Sequence, residues 1–312
     1  MSSESLKKSL SLFSFKESLR TPNSELRTCG LGRRDFLLWL LGLSLLPTFP
    51  FSIRKTQAQG GLPPPHDKRG TIAEFFKGEK LEYEIGFGFI KRVAVGRLTF
   101  MTLGKMGRYL AILHAETVGV LGWVARYRVD TYRSTMEEID GGRRLRALSF
   151  EEDVKIGDKL RRKISLFDYE RRKWIKVRRR KDGTVGRTEK EIPLGETYDD
   201  FLTASYNFRY GVYGEIERGK NYSVATFPQK GRSTYEVIVV GKEEEEGKRS
   251  LDRSSEGKEF FVKLLLGPEI THSKEGLIEG WLSKELYPLE GIIKDVFLFG
   301  DVKGMLIKNS RG

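Results

Sequence analysis

From Leu81 to Ile307 the chain repeats one local pattern: a short run with apolar residues at every second position, then a turn-forming cluster. Side chains alternate between the two faces of a strand, so this pattern specifies strands half-buried against a core. The runs fall at Leu81–Ile85, Arg97–Leu103, Tyr109–Val118, Val124–Tyr132, Leu145–Phe150, Lys163–Tyr169, Trp174–Arg178 and Thr188–Ile192. They resume at Tyr222–Phe227, Tyr235–Val240, Phe260–Leu266, Gly276–Leu282, Ile292–Phe299 and Val302–Ile307. Lys181-Asp182-Gly183 between two runs is a strong hairpin signal. About a dozen short strands cannot lie in one flat sheet without exposing costly edges. The expected fold is therefore mainly β: a single antiparallel sheet, strongly curved or barrel-like, with one short helix. Thirty-four glycines and 19 phenylalanines among 312 residues agree with a β-rich, well-folded body.

The period breaks once, at Tyr198–Tyr206, where Tyr198, Phe201, Leu202, Ser205 and Tyr206 share a helical face. Thr197 is the expected N-cap, with Asp200 three residues on. Asp199 and Asp200 are adjacent and would point apart on a helix, which suits a helix-terminus role and not a catalytic pair. Residues 241–258, with Glu243–Glu246 at their centre, read as a charged, solvated loop.

A different grammar governs the first 70 residues. Arg33-Arg34-Asp35-Phe36-Leu37-Leu38 leads into an apolar stretch to Ile53 that Pro47 and Pro50 interrupt, followed by Arg54-Lys55 and Thr56-Gln57-Ala58. Basic region, apolar region and small-residue cleavage site in that order mark an export signal. Arg33, Arg34, Phe36 and Leu37 resemble a twin-arginine translocation signal, with Leu38 at a position where Lys is frequent. The resemblance implies the twin-arginine translocase as a partner during export. Cleavage is expected after Ala58; the alternative is retention as an anchor in the inner membrane. Either outcome places the body on the periplasmic side in a bacterium. The organisation is then a signal over 1–58, a Pro/Gly linker over 59–70 and a single β domain over 71–308.

Several chemistries find no support. Cys29, the only cysteine, precedes the apolar stretch, so the body has no disulfide, thiolate metal site or cysteine nucleophile. His66, His114 and His272 are scattered without metal-ligand spacing. Gly86-Phe87-Gly88 starts like a dinucleotide loop but lacks the third glycine and continues as a strand. No catalytic residue, metal or cofactor is expected, and the body is read as non-enzymatic.

The order of blocks resembles the bacterial domain of unknown function 3108 family. Gly78-Glu79-Lys80-Leu81-Glu82-Tyr83 and Val95-Gly96-Arg97-Leu98 match its opening. Asp200–Tyr206 followed by Glu217-Arg218-Gly219-Lys220 matches its middle, and Trp281-Leu282-Ser283, Tyr287-Pro288-Leu289 and Phe299-Gly300 match its close. The resemblance covers nearly all of 75–307. Lys284-Glu285 departs from the acidic pair frequent after Trp-Leu-Ser. The resemblance implies an exported, mostly β envelope domain and carries no catalytic residues with it. Trp281, Pro288 and Gly300 read as a core aromatic, a strand-edge proline and a bend.

Charge supplies the remaining lead. The net charge is +13; removing nine Lys/Arg and four Asp/Glu up to Ala58 from totals of 56 and 43 leaves 47 against 39, or +8. Arg171, Arg172, Lys176, Arg178, Arg179 and Arg180 concentrate it around one hairpin arm, with Lys176, Arg178 and Arg180 on one strand face. This stripe is the candidate contact for an anionic lipid or lipopolysaccharide. Nucleic acid is not expected outside the cytoplasm. Two functions follow: a binding protein for a lipid or other apolar ligand with a basic membrane-facing surface, or a structural or assembly partner of another envelope protein.

Overall fold

The computed structural model describes residues 70–311 apart from 89, 105–106, 125, 180–182, 230–231, 251–255, 272 and 297–299. The export-signal residues Arg33, Arg34, Phe36 and Leu37 and the cleavage point after Ala58 lie outside the described residues, as do Arg180, His66, His272 and Phe299. Residues 60–312 form one compact unit. Among the described residues, its core clusters run from Ile72 to Leu306.

Fourteen antiparallel strands make one sheet. The first eight are β1 (Lys80–Phe87), β2 (Ile90–Thr102), β3 (Arg108–Thr117), β4 (Val129–Ile139), β5 (Arg144–Ile156), β6 (Lys159–Asp168), β7 (Lys173–Arg179) and β8 (Val185–Glu191). The remaining six are β9 (Asn221–Gln229), β10 (Arg232–Val239), β11 (Phe260–Leu265), β12 (Leu277–Leu282), β13 (Pro288–Val296) and β14 (Gly300–Ser310). Their order is β8 back to β1, then β14 back to β9. Two meanders are thus joined where the first strand pairs with the last, and β8 and β9 are the sheet's edges. The hairpin signal at 181–183 is met by Arg179↔Val185 pairing. Gly86–Ile90, the rejected dinucleotide loop, is a tight hairpin end; a Cβ on Gly86 would lie 2.7 Å from the Ile90 carbonyl oxygen.

The sheet curls without closing. Phe227 on edge strand β9 lies 5.3 Å from Trp174 on β7 and 5.4 Å from Phe167 on β6, ring centre to ring centre. The 192–200 segment runs beside β9, where the Asp199 N–H donates to the Ala225 carbonyl at 3.0 Å.

Among the described residues, five short α-helices accompany the sheet where one was expected: α1 (Ile72–Phe76), α2 (Gly119–Val124), α3 (Phe201–Tyr210), α4 (Lys242–Ser250) and α5 (Pro268–Thr271). Two expectations are corrected here. The N-cap of α3 is Asp200, not Thr197: its Oδ1 accepts from the Leu202 and Thr203 amides at 2.9 and 3.1 Å, so the helix begins three residues later. The 241–258 segment is not a loop throughout, because Lys242–Ser250 is helical. Its Glu245 is buried between Arg218 and Arg249 at 2.9 and 3.0 Å, so tertiary ion pairs order a segment whose local charge suggested solvation. Beside α4, Arg249 sits 4.9 Å over the Trp281 ring, which also packs on Phe261. Trp281 is therefore buried, but it and Gly280 point to opposite faces, and Trp281 occupies the convex one.

Candidate functional site

The concave face divides into two ends. At one end α3 lies inside the curl, and eight of its ten residues are buried. A helix with no solvent face must satisfy its polar groups internally. Thr203 and Asn207, one turn apart, do so against β4 and β5. Because β6 joins β5 only from Ser149 onward, the backbone of Leu145 lacks a strand partner on that side. The Asn207 side chain replaces it, accepting from the Leu145 N–H and donating to the Leu145 carbonyl, both at 2.9 Å. Its amide also donates to Asp199 Oδ2 at 3.0 Å, where the Tyr213 hydroxyl donates too and Arg144 approaches to 3.4 Å. Asp200 Oδ2 accepts from Ser134 Oγ at 2.6 Å and Thr203 Oγ1 at 2.8 Å.

Both carboxyls are fully buried. Loss of hydration raises them: Asp200 is pushed up to about 6, and its four hydrogen-bond donors pull the other way. Asp199 is also raised, with Arg144 opposing the effect of burial. No face of either carboxyl is open to a substrate. Their geometry is that of a helix cap and a strand tie.

The same end is locked by a second network. Arg209 gives Glu79 a bidentate pair at 2.8 and 2.7 Å and donates from Nε to the Leu286 carbonyl at 2.7 Å. Arg311 reaches the same carboxylate at 3.1 Å. Phe76 and Tyr287 cover both guanidiniums. One carboxylate therefore joins the approach to β1, the central helix and the residue after β14.

The other end is furnished differently. Phe87, Val302, Ile293, Ile278, Leu264 and Val237 are in register across β1, β14, β13, β12, β11 and β10. They are half-buried except at Val237, which is buried. Beside this row Gly280, Gly291 and Gly304 are also in register, leaving a strip without side chains. A Cβ on Gly304 would lie no closer than 3.9 Å to a neighbour, and one on Gly291 no closer than 3.8 Å. Both positions have room above them. Gly280 does not: a Cβ there would be 2.3 Å from the Glu290 carbonyl oxygen. The opposite wall is polar. Lys163, Ser165 and Phe167 on β6 pair with Arg178, Lys176 and Trp174 on β7, and Lys163 bridges Glu152 at 2.8 Å.

The basic stripe is thus divided. Trp174 belongs to the main core, so Lys176 and Arg178, which share its strand face, point to the concave side at the open end. Arg171 and Arg172 lie at the other end of β7, where they pair with Asp168 and Glu191. Arg179 ends β7. His114 is a strand histidine whose Nδ1 lies 3.0 Å from Thr131 Oγ1. No cluster of three or more His, Cys, Asp or Glu side chains could hold a metal ion among the described residues. Arg144, Asn207, Arg209 and Tyr213 were not legible as site residues, since their partners are 55 or more residues away or lie across a turn.

A family model described as a protein of unknown function, DUF3108, matches residues 82–306. The chain belongs to the DUF3108 family. Its opening, middle and closing blocks now have physical roles in this DUF3108 protein. Glu79 and Leu81 anchor the β1 end, Asp200–Tyr206 forms the capped interior helix, and Arg218 ties α4 to Glu259. Pro288 begins β13 beside Leu282 and accepts from the Tyr83 hydroxyl at 3.0 Å. Gly300 opens β14 with a φ of 68°. No curated protein and no solved structure matches the chain.

Proposed function

We propose that this DUF3108 protein is an exported, non-enzymatic envelope protein that binds a lipid or other apolar ligand in the open end of its curved sheet. The observation that carries this reading is the half-buried row from Phe87 to Leu264 beside the uncovered strip at Gly291 and Gly304. Such a surface gains favourable free energy when an apolar chain displaces water from it. The Arg33-Arg34 signal supports location in the periplasm or at the periplasmic face of the inner membrane, and the basic surplus supports contact with anionic lipid or lipopolysaccharide. The second reading, an assembly partner of another envelope protein, draws on β8 and β9 as sheet edges that a partner strand could extend.

The test is mass spectrometry of lipids co-purifying with the exported protein, compared with a Gly304→Leu variant. The expected result is a stoichiometric lipid in the parent and at least a tenfold loss in the variant. An apolar extract empty in both would remove the ligand reading and leave the assembly reading.

A further inference from the structure

One lip of the open end differs from everything else on the surface. The described parts of three connections lie there: α2 with Arg126–Arg128, the β5–β6 turn at 156–159, and the start of β8, where Val185 pairs with Arg179. Register places them together, because Val129 pairs with Lys155 and Lys163 with Arg178. The first two also touch, since the Gly157 N–H donates to the Arg126 carbonyl at 2.7 Å.

These connections carry large apolar side chains in water. Val120 is 81% exposed, Trp123 72%, Val185 63%, and Tyr127 and Leu160 57% each. Exposed cations surround them: Arg126, Lys155, Lys159, Arg161 and Arg178, none with an ion-pair partner among the described residues. Many other cations are held by carboxylates, as at Asp153 by Arg133 and Arg162 or at Glu279 by Lys248 and Lys294. On the facing side Asp295 of β13 and Asp301 of β14 are exposed, with Glu275 exposed beside Lys274, so acidic groups outnumber basic ones among these residues.

We propose that this lip is a membrane-docking edge that inserts Val120, Trp123, Leu160 and Val185 into the interface of an anionic bilayer. Indole, aliphatic and cationic groups on neighbouring loops suit that interface: the apolar groups enter the headgroup boundary while Arg and Lys meet lipid phosphates. The acidic side fixes the orientation, because turning it toward the same surface is electrostatically opposed. The open end then faces the bilayer obliquely, basic lip down. This rests on the proposed envelope location and not on the ligand.

The test uses residues 60–312 and vesicles of phosphatidylethanolamine with phosphatidylglycerol, against vesicles of phosphatidylcholine alone. Binding is expected to the anionic vesicles, weakening with salt, with a blue shift of Trp123 emission. The unit's other tryptophans, Trp174 and Trp281, are buried, so Trp123→Phe should abolish the shift. A combined Trp123→Ala, Leu160→Ser, Val185→Ser variant should bind at least tenfold more weakly at unchanged Tm. Ile307→Ser, equally apolar and exposed but on β14, should bind as the parent does. Parent-like binding by the combined variant, or no binding to anionic vesicles, would overturn the proposal. Gly304→Leu should leave vesicle binding intact, and a parent that binds anionic vesicles but co-purifies with no lipid would strike the ligand reading and spare the docking edge.

Discussion

The two ends of the curl face inward with different chemistry. Around α3 the concave face presents Phe76, Phe100, Met136, Leu145, Phe150 and Tyr206, all buried, and ring pairs such as Phe76–Tyr206 and Phe100–Tyr206 pack at 4.9 Å. Most charged groups admitted there are tied to named partners, while the Tyr206 hydroxyl and Asp199 Oδ1 are buried without one among the described residues. Toward the other end β11–β14 present half-buried leucine, isoleucine and valine beside bare glycine, and β7 presents Lys176 and Arg178. The contrast separates what holds the sheet curled from what the curl offers to another molecule. Burial at the α3 end supplies cohesion, which allows the opposite end to leave apolar surface and charge uncovered.

The comparison can be broken most forcefully at Arg209. Arg209→Ala should strand Glu79 without its bidentate partner and destabilise the fold by about 3–5 kcal/mol, as read from urea unfolding. A loss under about 1 kcal/mol would mean that Arg311 alone satisfies Glu79, and the α3 end would not be the locked region described.

A second test reads Asp200 through pH. Its folded pKa, about 6, lies above the usual carboxylate value. Between roughly pH 4 and 6 the folded protein therefore keeps a proton that the unfolded chain has released. Asp200 thus favours the fold at low pH, and this contribution is lost as pH rises through 6. Asp153, Glu245 and Glu279, lowered by arginine and lysine partners, act oppositely and lose stability on acidification. Asp200→Asn keeps an acceptor for the helix amides, while the Ser134 and Thr203 hydroxyls can turn to accept. Parent stability minus variant stability should fall by roughly 1–3 kcal/mol between pH 4 and 7. A difference independent of pH would show that the carboxylate is ionised throughout.

At the open end the expected cost is smallest. Gly304→Leu should change stability by under about 1 kcal/mol, because a Cβ there meets only ordinary contacts, 3.9 Å from the Gly291 carbonyl oxygen. A large loss there would mean that the strip is packed, and the two ends would differ less than their lining residues indicate.

Reading period-two runs located nearly every strand, because alternation is imposed locally by one buried face. The family blocks were legible for the same reason: each is short and contiguous. The boundary of α3 was misplaced because Thr197 and Asp200 both offer a capping oxygen, and only β4, by bringing Ser134 to Asp200, selects between them. Helix α4 was missed because Glu243–Glu246 repel locally; beyond the i,i+4 pair of Arg249 with Glu245, neutralisation comes from Arg218 and from Lys263 on β11, which only tertiary structure brings near. The basic stripe was read as one surface, yet Arg172 and Arg178 belong to opposite ends of a strand and to different partners.

Sequence alone determined that this chain is a basic, mostly β, cysteine-free body behind an export-like segment, and which family it joins. Those properties are sums over composition or patterns within a few residues. Tertiary structure decided which end is filled, which carboxylates are buried, and that three connections separated by dozens of residues form one cationic, aromatic lip. Such juxtapositions depend on register and curvature across fourteen strands, and no stretch of sequence contains that information by itself.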